Sequence, residues 1–446
     1  MAKDMTSGKP LKLIWNFTIP LLIGNLFQQL YNMADTFIVG RTIGVHALAA
    51  VGSTGSIVFL IIGFATGLTA GLAIPLAQRF GAKDYKGVKH SFYVSILISI
   101  AVAIVLTALS MIFCRQILEI MQTPSEIIDG AYDYLIVIFG GIFSSMAYNL
   151  LSNIFRSIGD AKTPLYFLVM ACVMNIILDI VFIAVFGMGV EGAGYATVLS
   201  QIFSAVACVV YIWKKIPVLR LTKEDLVATK RNIREHCRIS FPMAFQASII
   251  AIGTIMVQIA LNQLGPTSVA AHTAAQKIDQ LAILPMMSFG VTMATYSAQN
   301  FGAKKYDRIW LGVRECIKLS LTFAIVVGII LNLCSPILIR AFVGEGHEDV
   351  VALGRLFFLT NGTTYSFLSL LFIYRYTLQG VGKTFTPTLA GIMELIMRSV
   401  AAVVLSNIYG FVGATVANPM AWFGSMVPLM IAYYMFKNKV QHGVEQ

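Results

Sequence analysis

Apolar residues run along this chain in long, nearly uninterrupted stretches. A helix needs about 20 apolar residues to cross a bilayer. Windows of that length or more fall at 14–40, 48–77, 92–114, 132–155, 165–187 and 194–213. A second set falls at 241–264, 270–298, 319–339, 356–378, 389–409 and 412–436. The pattern predicts an all-α integral membrane protein with 12 transmembrane helices, six plus six. Domain limits follow from the same pattern: an N-lobe over 1–215, a cytoplasmic linker over 216–238 and a C-lobe over 239–446. The basic linker KKIPVLRLTKEDLVATKRNIREHCR reads as a solvated helix joining the lobes.

Five oxygen-bearing side chains interrupt the apolar windows of the first half: Tyr31, Asp35, Asn175, Asp179 and Thr197. A carboxylate in hydrocarbon costs roughly 2.5 kcal/mol or more, and an ionisable residue in a span marks a functional site by default. Neither helix one nor helix five holds a lysine or arginine that could neutralise the two acids from within. Tyr31 and Asp35 are four apart and share a helix face, as do Asn175 and Asp179. If helices one and five face each other, four oxygen groups converge, and Thr197 on helix six adds a fifth. A hard cation favours such oxygens. Without a metal, burial and mutual repulsion favour the protonated acids. A sodium ion at Asp35, Asn175 and Asp179 and a proton at the acids therefore both stay open. Either way the chain reads as a transporter coupled to a proton or small cation.

Charge fixes the orientation and removes a nucleic-acid reading. Of the residues, 57% are hydrophobic and only 12% charged, against about 25% charged in a soluble domain. The net charge of +11 is not gathered on one face. Lysines and arginines collect in alternate loops, around Lys3, Lys83, Lys162, Lys214, Lys304, Lys383 and Lys437. By the positive-inside rule both termini are expected to be cytoplasmic. The apolar run after the N-terminal lysines continues past a signal-peptide core without a cleavage site, so no secretory leader is expected. Six cysteines without CxxC spacing read as small core residues.

The halves repeat in the same direction. Phe80-Gly81-Ala82-Lys83 matches Phe301-Gly302-Ala303-Lys304, and RSIGDAKTP around Pro164 matches QGVGKTFTP around Pro387. Pro20 pairs with Pro242 and Gly44 with Gly265. Six spans per half bring both halves in from the same side, giving a parallel internal repeat of the kind used by rocking transporters.

On this ordered set, together with Ala34-Asp35-Thr36 and Asn175-x-x-x-Asp179, the chain resembles the multidrug and toxic compound extrusion (MATE) family. Within the family it resembles the bacterial branch often labelled DNA-damage-inducible or multi-antimicrobial extrusion. The resemblance covers the whole chain. It implies a V-shaped central cavity between the lobes. It also implies a secondary active multidrug efflux transporter, exporting cationic or amphipathic compounds by antiport against H+ or Na+ through alternating access. The positions matching Tyr31, Asp35, Asn175, Asp179 and Thr197 are implied as the cation or proton site of the N-lobe. The implied setting is the bacterial cytoplasmic membrane, with small-molecule drugs and the lipid bilayer as partners. No nucleic acid, no catalytic residue and no cofactor beyond the coupling ion is expected, and two complete lobes suggest that a monomer suffices.

The second half departs from the first. Helix seven carries Gln246 and Gln258 but no acid, which argues against an equivalent cation site there. Glu394 and Arg398, four apart on helix eleven, read as a structural ion pair. Met33, Gln246, Met256, Gln276, Asp279, Met286 and Tyr296 are the candidate cavity-lining residues, chosen because methionine-rich surfaces suit promiscuous binding. Lys277 lies beside Asp279 in the outer half of helix eight. Gly380-Val381-Gly382-Lys383-Thr384 imitates the end of a phosphate-binding loop. However, the glycine the pattern needs is Thr377, and no strand precedes it, so it reads as a cytoplasmic turn. Two other transporter-scale readings compete: a lipid-linked or polysaccharide flippase or metabolite exporter of the same superfamily, and a passive channel. A membrane-embedded enzyme would need a clustered metal-binding acid motif, which the sequence lacks.

Overall fold

A computed structural model describes residues 3–443. The described chain is mostly helical and holds no strand among its described residues, and twelve long helical segments follow the apolar windows. They are α1 (Pro10–Thr42), α2 (Val45–Ser53 and Gly55–Gly81), α3 (Tyr85–Ile112), α4 (Ile128–Gly140 and Ile142–Ser157), α5 (Lys162–Asp179 with a wide turn over Ile180–Val185) and α6 (Val190–Lys215). The second half holds α7 (Lys230–Gln263), α8 (Pro266–Gly302), α9 (Tyr306–Val343), α10 (Glu348–Asn361 and Tyr365–Gly380), α11 (Phe385–Val400, a wide turn over Ala401–Leu405, and Ser406–Tyr409) and α12 (Phe411–Gln441). Ten of these are long and apolar enough to cross a membrane, and the two halves of α4, bent by 48°, make an eleventh. The remaining one, α12, is 31 residues long, with Asn418, Pro419 and Pro428 interrupting its apolar stretch.

The backbone of the two halves repeats in detail. Lys83 and Lys304, which close the FGAK segments, both take left-handed φ, 61° and 56°. This conformation costs a non-glycine residue roughly 1–2 kcal/mol, so its recurrence marks the same helix-ending turn. Gly187 and Gly410, with φ of 67° and 59°, both follow the wide turns of α5 and α11. A wide turn widens the i→i+4 ladder by one residue, and such turns gather at functional positions.

Packing divides the chain into two compact units, and the division does not fall at 215 and 239. Among the described residues, unit 1 comprises 3–4 and Ile19–Ser248; unit 2 comprises Met5–Thr18 and 249–443. Each unit thus contains the first turns of a helix whose remainder belongs to the other. The contacts show why. In unit 1, Gly67 and Gly71 of α2 stand one turn apart, and an added Cβ would meet the Met243 carbonyl at 2.6 Å and Ser240 Cα at 2.4 Å. This small-xxx-small stripe lets the start of α7 lie directly on α2. In unit 2, Gln299 accepts from the Met5 amide (2.9 Å), Lys305 donates to the Thr6 carbonyl (2.9 Å), and Thr18 bonds Thr292 (2.8 Å). A sequence boundary drawn at the longest polar stretch cannot see these contacts.

The linker is also not the expected single helix. Residues 216–229 hold only two short 3-10 turns, Pro217–Leu219 and Lys223–Asp225, whereas 230–238 are the opening turns of α7. Pro217 lacks an amide proton for a helical ladder. Asp225 instead closes a capping box: its Oδ2 accepts from the Thr222 amide (2.9 Å) and hydroxyl (2.7 Å). Lys89 of α3 donates to the same oxygen at 3.0 Å. Arg79 of α2 likewise holds Glu235 of α7 at 2.8 Å. These contacts tie the linker to unit 1.

In unit 2 the polar core is an ion cluster. Glu394 of α11 accepts from Arg398 at 2.8 Å, the expected pair, and from Arg375 of α10 at 2.6 Å. Arg375 also donates to Ser425 of α12 at 3.2 Å. All three charged groups are only 4% exposed.

Two outcomes follow. Hydrogen bonds from Thr222, then the Lys89 ammonium, hold the Asp225 carboxyl down to about 2, against the usual value of about 3.9. A lowered carboxyl stabilises its contacts above the unfolded value and loses that effect as pH falls through the folded one. The capping box is therefore at full strength above about pH 4 and fades toward pH 2. At neutral pH, Asp225→Ala is expected to speed amide exchange over 222–229 about fivefold, the effect of losing one cap, as read by hydrogen-exchange mass spectrometry. In the ion cluster, Glu394→Gln strands two buried guanidiniums. That change costs about 3–5 kcal/mol and should lower the melting temperature in detergent markedly. Arg398→Met leaves Glu394 matched by Arg375 and should lower it less.

Candidate functional site

Three helices of unit 1 converge on the acids. Helices α1 and α5 pack closely, since a Cβ on Gly24 would meet Leu168 at 3.5 Å and Leu165 at 3.7 Å. Helix α6 approaches α4 through Gly194, whose Cβ would stand 3.0 Å from Val137. Asp35 is 9% exposed, and Asn175 and Asp179 are completely buried. Both of those buried residues sit on the last turns of α5 before its wide turn begins at Ile180.

The expected five residues come together. The Asp35 and Asp179 carboxyls are within hydrogen-bonding reach of each other. Asn175, oriented by its neighbours, donates to Asp179 Oδ2 (2.9 Å) and accepts from the Thr197 amide (3.1 Å). The hydroxyls of Tyr31 and Thr197 stand 3.0 Å apart. Asp35 Oδ1 and Asp179 Oδ1 are buried and have no hydrogen-bond partner. Among the described residues, the only side chain bonded to the acids besides their own pairing is Asn175; no lysine or arginine reaches either. A buried carboxylate needs a donor, a cation or a proton.

One participant escaped the sequence reading. Tyr134 of α4 is 9% exposed and within electrostatic range of both carboxyls. It belongs to a small apolar cluster with Val39, Ile138, Ile183, Val190 and Ala193, drawn from α1, α4, α5 and α6. A tyrosine inside an apolar window carries no periodic signal of its own, and only the fold of α4 brings it here.

The candidate cavity residues do not form one set. Met33 on α1 is exposed, and Gln246 on α7 is buried, both in unit 1. In unit 2, Met256 and Gln276 are half-buried. Met286 and Tyr296 are completely buried, and the Tyr296 hydroxyl donates to the Arg308 carbonyl at 2.8 Å. Both are core residues with no surface to offer a ligand. Asp279 is 4% exposed, and Tyr365 of α10 donates to its carboxylate. Lys277, its neighbour, points to the exposed side of α8.

The repeat explains why the acids have no twin. The spacing that carries Pro164 onto Pro387 carries Asn175 onto Arg398 and Asp179 onto Ala402. The spacing from Pro20 to Pro242 carries Tyr31 onto Gly253 and Asp35 onto Val257. In unit 2 the matching place is filled by the Arg398 guanidinium, which lies against Gly253, where a Cβ would meet Nη1 at 3.2 Å. One unit keeps two acids without a counter-charge, and the other carries its own cation.

Comparison with known proteins agrees with this architecture. The MatE family model matches residues 20–181 and 242–404, one match in each half. The chain is 28% identical over 446 residues to the probable multidrug resistance protein YoeA of Bacillus subtilis (strain 168), covering 97% of this chain and 96% of the relative. It is also 28% identical over 387 residues to the probable multidrug resistance protein YpnP of the same organism, covering 85% of each. Among solved structures, an outward-facing multidrug resistance MATE family transporter of the MOP superfamily superposes with a TM-score of 0.90 at 23% identity, covering 99% of this chain and 98% of the other. The twelve-helix fold, its internal repeat and the family match over both halves place this chain in the MatE family of multi-pass membrane transporters.

Proposed function

We propose that this protein is a secondary active multidrug exporter. It exchanges cationic or amphipathic compounds for a proton or sodium ion held at Asp35 and Asp179. One observation carries the reading: two carboxyl groups are buried against each other in a membrane span, each with an orphaned oxygen and neither with a basic partner. The multidrug resistance names of the relatives support the class of cargo. Acidic rather than basic uncompensated charge supports a cationic one. The basic loops support cytoplasmic termini in a bacterial inner membrane.

Asp35 draws the site together from α1, and Asp179 and Asn175 do so from α5. The ion binds where the two orphaned oxygens meet, removing their mutual repulsion and allowing α1, α5 and α6 to close around it. Its release restores the repulsion and favours a looser packing. Drug and ion each prefer one of the two packings, and a difference of a few kcal/mol between them suffices for exchange. Tyr31 and Thr197 hold each other in place, and Asn175 orients Asp179. A proton and a sodium ion differ in what they ask of these groups. The proton needs only the acid pair, while sodium needs the amide and hydroxyl oxygens as well.

The reading is tested by ethidium efflux from proteoliposomes, with proton and sodium gradients imposed separately. Efflux driven by one of the two gradients is expected. Asp35→Asn and Asp179→Asn should each fold yet lose coupled efflux by tenfold or more. Normal export by both variants would sink the assignment. Asn175→Ala should weaken sodium-driven exchange strongly and proton-driven exchange only slightly, so the same assay names the ion.

A further inference from the structure

Unit 1 carries a crevice of about 310 Å3 that shares no residue with the carboxyl cluster. It is walled by one face of α3, by α4, by the end of α6 and by residues 219–221 of the linker. Its wall on α3 extends from Phe92 to Ala103. At a helical rise of 1.5 Å per residue this is about 16 Å, close to half the roughly 30 Å hydrocarbon core. The crevice is therefore about as long as one leaflet is deep. Phe92 and Ala103 on its floor are buried, whereas Phe143, Val209 and Trp213 on its rim are 52%, 55% and 67% exposed. In a bilayer such a rim faces acyl chains.

One end of the crevice is charged. Arg220 is its single charged lining residue, and its Nη2 donates to the Lys214 carbonyl at 3.0 Å, fixing the guanidinium at the end of α6. Lys214 and Lys215 are exposed beside it. Residues 214–225 hold four basic side chains and two acids, and one of those acids, Asp225, is already matched by Lys89 at 3.0 Å. Trp213 stands at the junction of the apolar slot and the basic end, where an indole marks the membrane–water interface.

We infer that this crevice seats one acyl chain of an anionic phospholipid from the leaflet on the basic-loop side, with its phosphate held by Arg220. The bound lipid joins α3, α4, α6 and the linker, all of which contribute to unit 1. The site stands whether or not the acid pair couples transport, since it uses none of its residues.

The test is quenching of Trp213 emission in phosphatidylcholine vesicles, isolated by subtracting a Trp213→Phe variant. Phosphatidylglycerol or phosphatidylcholine brominated on the acyl chain is added in increasing proportion. Half-quenching is expected at an about fivefold lower fraction of the brominated phosphatidylglycerol, the preference one basic residue gives near a surface. Arg220→Gln, on the exposed linker, should bring the two lipids to equal potency. Ile100→Phe, which fills the slot from its half-open side, should weaken quenching by brominated phosphatidylglycerol. Equal quenching by both lipids in the unaltered protein would mean ordinary contact with the surrounding bilayer and would overturn the site. So would a preference that survives Arg220→Gln.

Discussion

Two acids buried side by side in hydrocarbon set the terms for unit 1. Nothing in the low-dielectric interior compensates them except what the fold supplies. The fold supplies an amide from Asn175, a hydroxyl pair from Tyr31 and Thr197, and a phenol nearby on Tyr134. It supplies no fixed positive charge. Two carboxylate oxygens are left over, and the proposed binding of a proton or cation rests on that deficit. The apolar cluster around Val39, Ile138 and Ile183 keeps water from diluting the effect, because exclusion of solvent strengthens every charge interaction within.

The two halves show how far backbone and chemistry can separate. Turn-forming positions recur faithfully: the left-handed lysines of the FGAK segments, the glycines after the wide turns, the paired prolines. These positions are dictated by where helices must end or bend. The residues inside are free to diverge, because a helix accepts almost any side chain that its neighbours can accommodate. Unit 2 uses that freedom to place Arg398 where unit 1 has Asn175, and to give Glu394 two guanidiniums. Its polar core is an ion cluster of one carboxylate between two guanidiniums, and Asp279 is held by Tyr365 alone among the side chains that act on it. The asymmetry restricts uncompensated acid pairs to one unit.

Glycine stripes and terminal contacts decide which helix belongs to which unit. Gly67 and Gly71 admit the start of α7 into unit 1 at backbone contact, and the Met5 to Thr18 segment enters unit 2 through Gln299, Lys305 and Thr292. In a bilayer such close approach, and not the hydrophobic effect, drives helices together. The repeat therefore shares its first helices between units instead of keeping six apiece.

Hydrophobic run length alone fixed the class and the number of spans, because the bilayer imposes one length on every crossing helix, and matched turns such as the two FGAK segments showed the repeat. Spacing of four put Tyr31 with Asp35 and Asn175 with Asp179 on common faces, and the cost of a buried acid marked them out. Those inferences are local or depend only on the solvent. Tertiary structure alone decided that α1, α5 and α6 meet, that Tyr134 joins them, and that Arg375 completes the Glu394 pair. It also removed Met286 and Tyr296 from any ligand surface and moved the unit boundaries into the helices. Each of these depends on which faces of distant helices touch, and within an almost uniformly apolar span no periodic pattern tells a lipid-facing side from a protein-facing one.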